Sequence, residues 1–355
     1  MLFNYLTIAA RTLRKRIGPT VINILGLTAG IAACLLIGLW VERELSFDDF
    51  HPGADLIHRV AIEARITDAM TRTIGVPAPL APAIRSDVPQ AEAVVRVRPD
   101  RVIFRKGQTA LSERQALKVD STFFDVFDGF DVVRGDPSTA LQPVDAVVLT
   151  EATAQEVFGR ADVVGETLQM DGDLRRVTAV MSDVPETSHL QFRAVVRRQG
   201  MRDVFKENWT GFAFVTYARL VEGATTADFQ SQLDAIVENR AMQDVRGRFG
   251  DPSDNFVYRL VAESLPSIYL HSPYNNVGPS GSISVVYTIS LIGLFILLIA
   301  CINFMNLATA RATERATEVG MRKALGAGRK QLAGQFLGEA TVTATIATVA
   351  AFVVS

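Results

Sequence analysis

The sequence predicts an α+β extracytoplasmic domain of two lobes, one inserted in the other, carried between transmembrane α-helices. Three observations lead there. Two runs of 25 residues, Ile17 to Val41 and Ile283 to Leu307, contain no Asp, Glu, Lys or Arg, and about 20 apolar residues carry a helix across the hydrocarbon core. Basic residues crowd the short flanks of these runs. Arg11, Arg14, Lys15 and Arg16 precede the first, and Arg311, Arg315, Arg322, Lys323, Arg329 and Lys330 follow the second against Glu314 and Glu318. Such flanks are the cytoplasmic signature, which puts the chain between them outside. That intervening chain intersperses strands and helices without the βαβ alternation of a doubly wound sheet, which indicates α+β.

Taken in order, residues 17–41 are the first transmembrane helix. Ile31-Ala-Ala-Cys34 resembles a lipobox behind a basic leader, but Leu35 to Val41 stays apolar and completes a span where a lipoprotein would turn polar. The outer domain, 42–282, opens with Glu44-Leu-Ser-Phe-Asp-Asp-Phe-His-Pro52 and a strand at Ile57 to Ile66. Pro77 to Arg85 begins a short helix, since proline suits a first turn. Ala91 to Val97 and Val102 to Arg105 read as strands around a turn at Pro99-Asp100, and Thr122 to Phe127 as a helical turn. Val147 to Leu149 is a strand feeding a helix over Glu151 to Phe158, capped by Thr150 and stopped by Gly159. Asp171-Gly172-Asp173 between Glu166 to Met170 and Leu174 to Met181 signals a hairpin. Phe212 to Leu220 is a strand, Thr226 to Ala241 an amphipathic helix and Phe256 to Ala262 a further strand. Residues of about 106–205 form the inserted lobe, with the other lobe built from both flanks.

The second transmembrane helix is 283–307. A loop of 28 residues, 308–335, leads to a third apolar run that starts near Phe336 and is still apolar at Ser355. A run that short reads as the beginning of a third span, so the sequence is expected to be the front portion of a longer protein. Within the spans, Gly26, Gly30 and Gly38 approach the small-residue spacing of packed membrane helices, and Asn303 and Asn306 are polar groups able to bond a neighbour. Glu339 is an acid at a membrane edge, where functional and interfacial roles both fit. In the loop, Glu314, Glu318 and Arg322 share one helix face at i, i+4, i+8. Met321, Ala324 and Leu325 share another, and Gly326 with Gly328 ends the helix. Two readings of this short amphipathic helix stay open: an ordinary surface helix at the lipid interface, or a docking element for a partner.

Charge and motifs exclude several functions. Of 36 basic and 38 acidic residues, 26 and 35 fall between the two spans, a net of about −9, whereas nucleic-acid binding wants a basic face. The two cysteines, Cys34 and Cys301, both lie in spans, so the outer domain has no disulfide and relies on its core. No phosphate cradle G-x-x-x-x-G-K-[ST] occurs. Gly326-Ala-Gly328-Arg-Lys330 lacks its spacing and reads as a helix stop with basic membrane-facing residues. His51, His58, His189 and His271 are dispersed, without zinc-ligand spacing, and the hairpin explains Asp171 and Asp173 without calcium. Gly278-Pro-Ser280-Gly281 is not a nucleophile elbow. No metal or cofactor is expected, and no catalytic signature is left.

Ala308-Thr-Ala-Arg311, Glu318-Val-Gly-Met-Arg-Lys-Ala-Leu-Gly-Ala327 and Gln335-Phe-Leu-Gly-Glu339-Ala340, in that order, resemble the MacB/FtsX-like permeases of ABC transporters. In the outer domain Phe47-Asp-Asp-Phe-His-Pro52, Ile57-His-Arg-Val60, Phe123-Phe-Asp-Val-Phe127, Val148-Leu-Thr-Glu151, Val157-Phe-Gly159 and Leu270-His-Ser-Pro273 extend the resemblance over essentially the whole chain. The resemblance implies a periplasmic core domain followed by an FtsX-like membrane domain in the bacterial inner membrane, multi-pass. It implies that the loop is a coupling helix, which places Glu318, Gly320, Arg322, Lys323, Leu325 and Gly326 against a cytosolic ABC ATPase with Walker motifs. It also implies an N-terminal cytoplasmic amphipathic helix over 1–16, with Arg11, Arg14 and Lys15 along the same face. A second permease copy or pseudo-repeat, membrane lipid and a periplasmic protein are the further expected partners, and mechanotransmission for export, extraction or efflux is the implied mechanism, with ATP hydrolysis in the partner. The competing class is a membrane-anchored extracytoplasmic sensor or binding protein with a cytoplasmic signalling continuation. Spans following Ser355 would favour the permease and a soluble signalling domain the sensor.

Overall fold

The structure, a computed structural model, describes residues 17–65, 70–106, 109–200, 207–249, 256–314, 319–321, 324–325 and 328–355. The chain separates into two compact units, one of Ser46–Ser282 and the other of the chain on either side of it.

The membrane unit contains three long helices, α1 (Ile17–Leu45), α8 (Ile283–Glu314) and α9 (Arg329–Val354). Their segments Thr20–Leu45, Ile283–Ala310 and Phe336–Val354 are each long and apolar enough to cross a membrane. The N-terminal helix expected over 1–16 lies outside the described residues.

The other unit is a mixed sheet dressed with short helices. Its elements are β1 (Ile57–Arg65), β2 (Thr71–Thr73), β3 (Val76–Pro77), α2 (Leu80–Asp87), β4 (Ala91–Lys106), β5 (Thr109–Val119), α3 (Phe123–Val126), β6 (Val132–Arg134), β7 (Ala146–Thr150) and α4 (Glu151–Phe158). There follow β8 (Thr167–Met170), β9 (Asp173–Met181), β10 (Ala194–Arg197), β11 (Phe212–Leu220), α5 (Thr226–Ile236), α6 (Met242–Phe249), β12 (Val257–Ser264) and α7 (Leu265–His271). The strand order is β12-β1-β11-β4-β5-β10-β7-β9-β6, with β2, β3 and β8 pairing alongside. At one end β12, β1, β11 and β4 are antiparallel neighbours. Their face toward α2 and α5 buries Val60, Ile62, Leu80, Ile84, Phe229, Leu233 and Leu260. At the other end β7 runs parallel to β9 and antiparallel to β10, and this part buries Val147, Leu149, Ala154, Val157 and Val177 with Phe104 of β4. A third cluster, rich in phenylalanine, links the two ends through Val95, Leu117, Phe123, Phe127, Phe130, Phe192 and Tyr217.

Local chemistry sets several elements as the sequence indicates. Thr150 caps α4 by accepting from Thr153 N, and Gly159 closes it in the left-handed region at φ 74°. Met170 pairs with Asp173, so Asp171 and Gly172 alone form the turn, at φ 52° and 95°, as a type I′ hairpin requires.

Two expectations are corrected. There is no turn at Pro99-Asp100: β4 runs unbroken for 16 residues, with Pro99 opposite Leu117 of β5. On its other edge β4 pairs with β11 as far as Val97 and with β8 from Phe104, so Pro99 falls in the gap between partners where its missing N–H is not needed. The helix expected to end at Ala241 continues through a π turn, Val237–Ala241, into α6. Its buried positions Phe229, Leu233, Ile236, Ala241 and Val245 explain the turn. The five-residue step from Ile236 to Ala241 overshoots an α-helical face, and one wider turn restores it.

Candidate functional site: the loop and the buried clamp

The expected coupling residues fall mostly outside the described residues, which include Gly320 and Leu325 but not Glu318, Arg322, Lys323 or Gly326. What is described there is helical: Leu325 N donates to Met321 O at 3.1 Å. Leu325 is 88% exposed and Met321 61%. Two large apolar side chains one turn apart are therefore exposed. A Cβ at Gly320 would meet nothing within 4 Å.

The helices behind the loop pack through small residues. A Cβ on Gly30 would overlap that of Ala300, one on Gly26 would lie 3.1 Å from Asn303 Nδ2, and one on Gly293 would lie 3.2 Å from Ile37. Pairing 26 with 303, 30 with 300 and 37 with 293 makes α1 and α8 antiparallel. Thr28 Oγ1 donates to Ala347 O of α9 at 3.3 Å, and Cys34 Sγ to Gly293 O at 3.2 Å. Gly38 faces open space, so of the three glycines singled out in α1 only Gly26 and Gly30 have a packing reason.

In the extracytoplasmic unit, the two segments that adjoin the spans in the chain are clamped by a buried polar network. Phe47 stacks on Tyr269 with planes 2° apart. Asp48, in the left-handed region at φ 62°, donates its N–H to Thr187 O at 2.8 Å and accepts at Oδ1 from His189 N at 3.1 Å. His189 Nδ1 sits 2.9 Å from the same oxygen without hydrogen-bond alignment, an electrostatic contact, while Nε2 lies 2.9 Å from the Tyr217 hydroxyl. Arg59, completely buried, is held by Glu263 Oε2 at 2.7 and 3.1 Å, Asn276 Oδ1 at 2.7 Å and Ser272 Oγ at 2.9 Å. Burial pushes the Tyr217 hydroxyl pKa well up, and the Arg59 guanidinium opposes that shift. A Cβ at Gly278 would overlap the His189 carbonyl, so glycine lets the chain returning to the second span touch the segment that carries His189.

Asp48, Arg59, His189, Tyr217 and Glu263 carry no mark as a set in the sequence, being spread over more than 200 positions. Arg59 alone signals it, as the first charge in Ile57-His-Arg-Val60, the otherwise apolar opening of β1. Their burial leaves no room for a substrate, so the network is a clamp and not an active site. Among the described residues no group of three or more His, Cys, Asp or Glu could hold a metal.

A mixed α/β extracytoplasmic domain set in the chain between membrane-spanning helices, with a short helical loop after the second, defines the class: a membrane permease component with an extracytoplasmic domain. Residues 20–236 match the MacB-like periplasmic core domain and residues 290–355 the FtsX-like permease C-terminal domain, and the chain belongs to the MacB/FtsX-like permease family. It is 22% identical over 372 residues to a macrolide export ATP-binding/permease protein MacB of Rhodopirellula baltica, covering 97% of this chain and 53% of that one. It is 25% identical over 352 residues to the protein of the same description from Azoarcus sp., covering 95% and 49%. The chain thus spans about half the length of these curated relatives. Its fold is that of a solved domain of a putative permease from Porphyromonas gingivalis, at TM-score 0.52 and 19% identity, covering 67% of this chain and 98% of that one.

Proposed function

We propose that the chain is a non-ATPase permease subunit of an ABC transporter, which passes conformational change from a separate cytosolic ATPase to its extracytoplasmic domain for export, extraction or efflux. The observation that carries this reading is the succession of span, MacB-like core domain, span, short basic loop and span, over which the two family models match in order. The relatives' description as ATP-binding/permease proteins supports an ATPase partner, and this sequence holds no phosphate cradle of its own. The FtsX-like match over 290–355 favours a permease over a sensor.

In this reading the protein sits multi-pass in the bacterial inner membrane and works with a second permease copy. Glu318, Gly320, Arg322, Lys323, Leu325 and Gly326 receive the ATPase, with Leu325 and Met321 as apolar anchors and the charged residues as the rim that fixes register. The clamp makes the extracytoplasmic unit stiff where its two ends meet, so that movement of either adjoining segment is shared by both lobes. The test is co-purification: replacing Glu318 and Arg322 by alanine is expected to remove the ATPase while membrane insertion is retained. Unchanged co-purification overturns the assignment of the loop.

A further inference from the structure

One face of the sheet carries a groove with two uncompensated cations. Arg101 of β4 pairs with Gln115 of β5, and Arg193, just before β10, donates its N–H to Gln115 O at 2.8 Å. The three residues are exposed and line one groove of about 330 Å³ with Glu113 and Arg114. At strand spacings of about 4.8 Å, the backbones of Arg101 and Arg193 lie roughly 10 Å apart on either side of Gln115. A second groove of about 450 Å³ adjoins the first, sharing Arg101, Glu113 and Gln115 and reaching Pro99, Gln191 and Val277. Most charge along it is already paired. Lys118 Nζ donates to Asp100 Oδ2 at 2.6 Å, and Arg114 is bonded to Glu156 of α4. The guanidinium groups of Arg101 and Arg193 have no partner among the described residues, and Glu113 is the one lining acid without an ion pair there. The two arginines thus outweigh one acid, in a stretch between the spans whose net charge is about −9. An acidic partner is repelled by most of that surface and attracted here.

The main chain is open at the same place. Asp120 N donates to Arg96 O between β5 and β4. Bonded pairs alternate along an antiparallel ladder, so Gln115 and Glu113 turn their main-chain groups to the other edge of β5. There β10 pairs with β5 only from Ala116 onward, and Arg193 extends the cover to Gln115. At Glu113 no strand lies on that edge among the described residues, and the Glu113 carbonyl takes Arg114 Nη1 at 3.4 Å while its N–H is left over. An open edge beside a groove lets an extended segment add main-chain bonds, with its alternate side chains in the groove. From Glu113 to Leu117 the strand advances about 14 Å, room for roughly four extended residues.

We propose that this groove is a docking site for an extended, acidic segment of a second extracytoplasmic protein. Carboxylates of the segment meet Arg101 and Arg193, Gln115 bonds between them, and the main chain of the segment lies along β5 at Glu113. The site belongs to the extracytoplasmic unit alone and does not depend on the ATPase reading of the loop.

The test uses the full chain in uncharged detergent micelles and short rhodamine-labelled peptides in which glutamate or lysine alternates with threonine. Binding is read by fluorescence anisotropy at constant ionic strength, with empty micelles subtracted. The glutamate peptide is expected to bind saturably and at least tenfold more tightly than the lysine peptide, and methylating its amide nitrogens is expected to weaken it by a similar factor. The double variant Arg101→Glu/Arg193→Glu, at two exposed positions, is expected to keep its near-ultraviolet circular dichroism and to prefer the lysine peptide. If that variant does not fold, Arg101→Gln/Arg193→Gln decides, with at least a tenfold loss expected for the glutamate peptide. No saturable binding, equal affinity for the two peptides, or an unchanged preference in the variant overturns the site. Displacement of the peptide by an equal concentration of free glutamate would make this a small-carboxylate site, and a dimer of the parent that the variant abolishes would give the surface to a second copy. Either result overturns the proposal.

Discussion

Two buried ion clusters of the extracytoplasmic unit solve opposite problems. At Arg59 a single cation is surrounded by acceptors, Glu263, Asn276 and Ser272, and the charges balance. At Asp120 a single anion is surrounded by cations, and positive charge is left over. The first joins β1 to β12 and to the segment after α7, and the Arg59 side chain is closed to solvent. The second joins α2, β4 and the ends of β5 and β10, and Arg96 and Arg198 spend every guanidinium nitrogen there on Asp120 or on a backbone carbonyl. Balance suits a closed clamp, and imbalance makes the junction depend on one carboxylate.

The largest expected effect breaks the balanced cluster. Arg59→Met leaves Glu263 buried without its cation, which typically costs about 3–5 kcal/mol, read as a fall in stability to urea. The double variant Arg59→Met/Glu263→Leu is expected to recover most of it, since an apolar pair of similar volume replaces a buried ion pair at little loss.

Next comes His51, a buried site in which neither charge wins. Burial lowers its pKa from 6.5 to about 4, with Asp48 opposing, and Gly129 N donates to its Nδ1 at 3.2 Å, which needs the neutral ring. The unfolded chain then binds the extra proton between pH 6.5 and 4. Both states are neutral above that window, so the penalty is absent there. It grows as pH falls and reaches about 3 kcal/mol below pH 4. His51→Asn is expected to flatten the pH dependence of the urea midpoint across that window.

In the membrane unit, where contact is steric and not ionic, Gly30→Val is expected to cost about 1–3 kcal/mol by overpacking against Ala300. Gly38→Val, facing open space, serves as the silent control. Oxidative cross-linking of cysteine pairs introduced across α1 and α8 checks both. The smallest effect is Thr150→Ala, which removes the cap of α4 and lowers stability by about 1 kcal/mol, measured by urea unfolding.

What the sequence discloses follows the range of the interactions. Thr150, Gly159 and Asp171-Gly172 act within four residues, and those elements are legible. The apolar spans are legible because lipid demands uninterrupted apolar helices. Pro99 misleads because its tolerance depends on strands β8 and β11, which arrive from far along the chain. Strand β5 and helix α7 escape notice: Thr109–Val119 is too polar to announce a strand, and Leu265–His271 opens on proline in a stretch without charges. The clamp is invisible for the same reason as Pro99, since Asp48 and His189 meet across 141 positions. The loop is the reverse case. Its motif is local and readable, and the role proposed for it depends on a second protein.

The most direct measurement places a photo-crosslinking amino acid at Leu325 in the full protein within its own membrane, with the same group at Val353 in α9 as control. The account predicts a crosslink from position 325, identified by mass spectrometry, to an ATP-binding protein carrying Walker motifs, and none from 353. Adducts to lipid alone from both positions would contradict it.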